Sequence, residues 1–224
     1  MKAPTLPRLI ETDTSLAGHI MRVANSPLYR PSSPFVSLQQ VIARLGMVTI
    51  SEIALATALN TDLFAAPGSE DLLEECWQES LRTSAWAREI ARLRRTNVEM
   101  GFLGGMLARV GMPVAIQGLV TAGVSGDAVR NLAEHYEVRA GALLGRAWQL
   151  PDAVQQCVLH HRDAAPARQH RDEVLNVAMA IAFARGERPV AELTGAAALY
   201  PEDLDTLDEQ TDSVEAWVGT LGGA

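Results

Sequence analysis

Aromatic side chains are scarce: Phe, Trp and Tyr make up 5% of the 224 residues. Any core must therefore be built from the aliphatic and small residues that bring the hydrophobic share to 48%. Cysteine is nearly absent. Cys76 and Cys157 stand far apart, with no CxxC or Cys/His zinc spacing. That excludes a disulfide framework and points to two buried thiols in a reducing compartment. Positive charge is also short, with 19 Lys and Arg against 27 Asp and Glu and a formal net of -8. Non-specific nucleic-acid binding depends on neutralising phosphates, so this balance argues against a nucleic-acid partner. Long apolar runs are missing too. The longest uninterrupted stretch, around Val174 to Ala184, spans about 11 residues and contains Asn176, whereas a membrane helix needs roughly 20. Met1-Lys2 leads into Ala3-Pro4-Thr5-Leu6-Pro7 and not into a secretory apolar segment. The expectation is a cytoplasmic protein without membrane contact.

What is present is helical periodicity, and no strand-like alternation of any length interrupts it. Asp13-Thr14-Ser15 offers capping side chains before Leu16, Ile20, Val23 and Ala24, and Pro27 stops that helix. Ser37-x-x-Gln40 has capping-box form and opens a short helix ended by Gly46; Thr49-Ile50-Ser51-Glu52 repeats the pattern before a helix to Asn60. As a DNA-binding helix-turn-helix this pair lacks Arg or Lys on its second member, so a core hairpin is the reading preferred. Pro67-Gly68-Ser69 marks a linker. A long helix from about Glu70 to Leu93 follows, with Leu73, Trp77, Leu81, Ile90 and Ala91 inward. Asn97 caps the next. Gly104-Gly105 inside that helix costs propensity, which close approach of a neighbouring helix would explain. Further helices are expected at Pro113–Val120, Asp127–Tyr136, Arg139–Trp148, Pro151–His161 and Glu173–Arg185. From Glu187 onward nine acidic residues face one base, Arg188, so a short acidic helical appendage with a frayed end is expected there.

Several stretches resemble one family in order and at sensible spacing. They are Leu16-Ala17-Gly18-His19-Ile20-Met21-Arg22-Val23-Ala24-Asn25-Ser26, Ser37 to Gly46, Trp77-Gln78-Glu79-Ser80, Phe102 to Gly111, Gly141 to Leu144 with Trp148-Gln149-Leu150-Pro151, and His160-His161. Together they resemble the HDOD family, HD-related output domains akin to HD metal-dependent phosphohydrolases, over residues 8 to 186. The resemblance implies an all-α, HD-like multi-helical fold. Its parts would be an N-terminal lobe (1–66), a larger HD-like lobe (67–186) and the acidic appendage (187–224). Such domains usually carry a further helix ahead of residue 9, which this chain is expected to lack.

An HD-type hydrolase needs imidazoles and carboxylates converging on a metal that activates water. By the resemblance, the first His position is Glu79, the His-Asp dyad is Ala108-Arg109 and the late Asp is Met179. Arg109 would bring a cation to the metal's place, while Ala108 and Met179 offer no hard donor. The expectation is a chain with no catalytic or metal site and no cofactor. His160 and His161, with His135 and Asp163 as imaginable co-ligands, point about 100° apart on a helix and are not expected to chelate one ion. His19 and His170 lack partners in sequence. No Walker, Rossmann or GxSxG motif is present. Arg88, Arg92 and Arg95 fall at i, i+4 and i+7, ahead of the acidic tail, and are read either as a solvated face or as a patch for an acidic partner or nucleotide. With Arg109, His160 and His161 they complete the candidate binding residues. The resemblance implies a non-catalytic bacterial signal-transduction module that binds protein partners. A nucleotide sensor using the degenerate cleft, a residual phosphohydrolase and self-association stay open.

Overall fold

The computed structural model describes residues 14–26, 28–29, 34–63 and 66–222. Among these the chain forms eleven helical elements and no strand. The expected cap at Asp13 and the expected absence of an earlier helix lie outside the described residues.

Helix α1 (Thr14–Ala24) buries Ile20, Val23 and Ala24, the face its periodicity marked. Asn25 then pins the following loop. Its Nδ2 donates to the Met21 and Phe35 carbonyls at 3.0 and 3.2 Å, and its Oδ1 accepts from Phe35 N at 2.7 Å. Element α2 (Leu38–Leu63) is two helices that meet at a kink at Gly46, whose φ of 79° and ψ of 161° are non-helical and suit glycine. The two helices expected on either side of Gly46 are present, the second starting directly after the glycine and ahead of the expected Ile50. Ser37 caps it, accepting from Gln40 N at 3.3 Å, but the Gln40 side chain accepts from Val36 N and not from Ser37. The second capping box does not form. Helix resumes directly after Gly46, so Ser51 Oγ donates back to the Met47 carbonyl at 2.8 Å and Glu52 is buried in an ion pair with Arg88 at 3.0 Å.

Helix α3 (Glu70–Leu93) is the hub, packing against α4 (Val98–Leu107), α8 (Arg171–Ala184) and the C-terminal α11 (Thr211–Gly222). Besides Leu73, Trp77, Leu81 and Ile90 it buries the small residues Ser80, Thr83, Ser84, Ala85 and Ala87. Those let α4 lie close. A Cβ at Gly105 would stand 2.7 Å from Ser84 Cα, and one at Gly104 would stand 3.0 Å from Cys157 Sγ, so the glycine pair answers to close approach. Asn97 opens α4 by accepting from Met100 N at 3.0 Å. After a turn at 108–110 come α5 (Gly111–Thr121), α6 (Asp127–Ala147) and α7 (Asp152–His160). Where two helices were expected from Asp127 to Trp148, the structure has the single α6. A smaller apolar cluster of Leu73, Met112, Ile116, Val129 and Ala133 joins α3, α5 and α6.

The acidic end is more than an appendage. Helices α9 (Ala191–Ala196), α10 (Pro201–Asp208) and α11 carry their charge mostly outward. Leu207, Val214, Trp217, Val218 and Leu221 enter the same hydrophobic cluster as Ile20 and Trp77. Trp217 meets Phe102 edge-on at 5.8 Å and lies under the Arg88 guanidinium at 5.1 Å.

Two stretches, Leu38–Leu59 and Val98–Thr121, are long and apolar enough to cross a membrane by length and composition. The expectation that no segment reaches that length rested on uninterrupted runs, which these are not. The first is bent at Gly46; the second is broken at 108–110 and mostly buried in this fold.

Candidate functional site

The site lies where α3, the end of α4, α6, the end of α7 and α8 converge. Glu79 comes from α3, Arg109 from the turn after α4 and Glu137 from α6; His161 and Arg162 follow α7, and Arg185 follows α8. These residues form one chain of ion pairs. Arg185 Nε donates to Glu79 Oε1 at 2.9 Å, and the other Glu79 oxygen accepts from Arg109 Nη1. Arg109 Nε donates to Glu137 Oε1 at 2.7 Å. Glu137 Oε2 accepts from Arg162 through both Nε, at 3.1 Å, and Nη2, and Arg162 Nη2 also reaches the Glu134 carbonyl at 2.9 Å. His161 Nε2 stands 3.6 Å from Glu137 Oε1.

Glu137 is the centre of this network, with its side chain only 1% exposed. Burial alone would raise its pKa; the neighbouring His161 and the Arg109 guanidinium outweigh that and hold it down at about 2. Burial likewise opposes the charge on Arg109, but Glu137 and Glu79 overcome it and its pKa is raised. Burial pushes the nearby Cys76 thiol up to about 11. Local backbone packing fixes the glutamate's place. A Cβ at Gly111 would collide with the Glu137 carbonyl oxygen, so the start of α5 rests directly on α6 beside it.

The metal implied by an HD-type site does not fit these residues. Glu79, which the resemblance puts at the first ligand position, already shares its carboxylate between the Arg109 and Arg185 guanidiniums, and these repel a cation. Ala108 has no donor atom, and Met179 is fully buried in the hydrophobic cluster. Among the described residues no group of three or more His, Cys, Asp and Glu side chains is arranged to hold an ion.

Of the sequence-predicted binding residues, Arg109 and His161 come together around Glu137, and the others stand apart from them. His161 is buried with Nδ1 3.0 Å from the Val158 carbonyl, whereas His160 is the last residue of α7 and only part-buried. His135 packs edge-on against Tyr136, and the Asp163 carboxylate accepts from Ala165 N. Arg88, Arg92 and Arg95 do not make one face. Arg88 is mostly buried between Glu52, Glu89 and Trp217, Arg92 pairs with Glu89, and Arg95 lies beyond the end of α3 with φ 55°. The helix ends at Leu93, so the i+7 position never joins the face.

Sequence reasoning missed Glu137, Arg162 and Arg185. The two-helix reading left Glu137 in a supposed gap. Its signal was there nonetheless: Val129, Ala133, Glu137, Gly141 and Gly145 recur every fourth residue, and all are buried on α6. One acid within a stripe of small residues marks a carboxylate turned inward.

Two clefts flank Arg109 and Arg185. One, of about 460 Å³, also touches His161, Arg162, Ala178, Ile181 and Leu193. The other, of about 340 Å³, touches Cys76, Glu79, Arg82 and Arg130.

The HDOD domain family model matches residues 1–164, and the chain belongs to the HDOD family. The match ends short of residue 186, where the sequence resemblance extended. Three crystal structures share the fold. An HDOD domain protein with unknown function from Geobacter sulfurreducens is 21% identical with a TM-score of 0.69, over 96% of this chain and 84% of that one. A candidate metal-dependent phosphohydrolase from Shewanella amazonensis SB2B is 20% identical with a TM-score of 0.72, over 96% and 83%. A candidate signal transduction protein from Marinobacter aquaeolei VT8 is 20% identical with a TM-score of 0.72, over 99% of this chain and 56% of that one. No curated protein matches the sequence.

Proposed function

We propose that this chain is a non-catalytic regulatory module of bacterial signal transduction, cytoplasmic and working through contacts with protein partners. The observation that carries the reading is the Arg109 guanidinium shared between Glu79 and Glu137. At positions where the resemblance expects metal ligands, Glu79 and Arg109 belong to a network of ion pairs, which supports a structural use of these charges. Such a network stabilises a scaffold but leaves nothing to activate water. Family membership and the fold shared with a candidate signal transduction protein agree with a regulatory role. The test has two arms. The purified full chain is assayed for release of phosphate from nucleotides with added Mn²⁺ or Mg²⁺, and tagged chain is used to recover partners, each then re-tested with purified components. The reading expects no turnover above buffer and at least one partner that binds directly and saturably. Metal-dependent turnover abolished by Glu79→Ala would overturn it.

A second reading, that the degenerate cleft holds a small ligand without cleaving it, is favoured by the three arginines lining the larger cleft.

A further inference from the structure

The outer face of α6 presents apolar and basic side chains in a chain whose net charge is -8. Leu132, Tyr136 and Leu143 are 37%, 40% and 63% exposed, and Arg139 and Arg146 are exposed beside them. At 3.6 residues per turn these side chains fall within about 80° of the helix circumference and run for about 21 Å along it. Tyr136 is braced edge-on by His135, with ring centroids 4.9 Å apart. Single exposed apolar side chains are ordinary, but three in one row edged by arginines mark a contact surface. Tyr and Arg are also side chains that protein interfaces favour.

The charge on this face is not cancelled. Arg130, elsewhere on α6, is held by Glu75, but Arg139 and Arg146 have no ion-pair partner among the described residues. None of the residues three or four positions from either is acidic. The acids of α6 stand elsewhere. Glu137 is buried between Arg109 and Arg162, Glu134 lines the clefts beside Arg109, and Asp127 lies in the first turn. Helix α5, packed along α6, has no charged residue. Helix α7, whose one acid is Asp152, packs over Gly141 and Gly145, on the side of α6 turned away from the row.

We propose that this face docks an amphipathic helix of a partner protein, its apolar stripe on Leu132, Tyr136 and Leu143 and its acids on Arg139 and Arg146. The proposal rests on the reading that the chain works through protein contacts, and it gives that partner a place and a chemistry. A second copy fits less well, because pairing α6 with its like gathers both sets of arginines with no acid between them. An anionic membrane is disfavoured too, since two arginines attract it weakly and a chain of net charge -8 is repelled by it.

The probe is a labelled peptide of about 18 residues, long enough to hold a helix in water. Leu repeats in it at i, i+4, i+7 and i+11, Glu flanks that row, and Ala and Gln fill the rest. One control spreads the same Leu residues around the helix, and another replaces every Glu by Lys. Fluorescence anisotropy with the full chain is expected to show saturable binding of the acidic peptide, about tenfold or more tighter than either control and weaker as salt rises. Leu143→Asp is expected to weaken it about tenfold or more, and Arg139→Glu with Arg146→Glu to reverse the preference towards the Lys peptide. The replaced side chains are exposed, so both variants are expected to keep the native near-ultraviolet dichroism. Equal binding of the controls, or indifference to the substitutions, would overturn the proposal. So would binding to phosphatidylserine vesicles, or self-association in sedimentation, that Leu143→Asp abolishes, since either gives the face another occupant. A recovered partner that binds the Leu143→Asp chain as tightly as wild type would overturn this face and leave the reading through protein contacts standing. Metal-dependent phosphate release would instead overturn that reading and leave the peptide result unchanged.

Discussion

Arg109 Nε lies 2.7 Å from Glu137 Oε1, joining the turn after α4 to the middle of α6 across a site that is closed to solvent on the glutamate side. Both charges need each other. Deleting one partner of a buried pair leaves the other uncompensated, which costs about 3–5 kcal/mol. Glu137→Ala is therefore expected to lower stability by that order in denaturant unfolding, and Glu79→Ala, on a more exposed carboxylate, by clearly less. Equal effects would show that Glu137 is not the keystone.

The same carboxylate gives the fold a pH dependence. Its folded pKa of about 2 lies below the model-peptide value of 4.5, so its contribution is fully present above that value. It is lost as pH falls from about 4.5 towards 2. Unfolding free energies measured across this window are expected to decline more steeply for wild type than for Glu137→Gln, which cannot titrate there.

Both thiols are expected to be inert while the chain is folded. Burial lifts Cys76 to about 11 and Cys157 to about 12, so neither is a thiolate near neutral pH. Ellman's reagent is expected to count no fast-reacting thiol in native buffer and two in denaturant. A fast native reaction at either position would contradict the packing described.

Trp217 ties the acidic C-terminal helices to the core, between Phe102 and the Arg88 guanidinium. Trp217→Ala is expected to cost about 3–5 kcal/mol, the range for truncating a buried aromatic. A loss below about 1 kcal/mol would mean that α11 is dispensable to the fold.

Much of the scaffold was legible because its causes are local. The periodic apolar face of α3, the Asn97 cap and the Gly104-Gly105 close approach each follow from neighbours in sequence or from a residue type with few alternatives. The assignment of Glu79, Ala108, Arg109 and Met179 to metal-ligand positions rests on resemblance to a family and on no local pattern. What stayed hidden was long-range. Glu137 meets Arg109 across 28 residues and Arg185 meets Glu79 across 106, and no local pattern reports which carboxylate an arginine will choose. Trp217 was obscured by the nine acids around it, whose outward faces masked a buried stripe. The arginine triplet failed for a simpler reason: helical spacing was extended two residues past the helix end.

The central claim is that a guanidinium, not a metal, holds this site together. Titration of Mn²⁺ and Zn²⁺ into chelator-treated wild-type and Glu79→Ala full chain, read by calorimetry and by metal content after gel filtration, tests it most directly. The account predicts no stoichiometric metal in wild type and no difference between the two proteins. One equivalent of metal bound by wild type and lost in Glu79→Ala would contradict it.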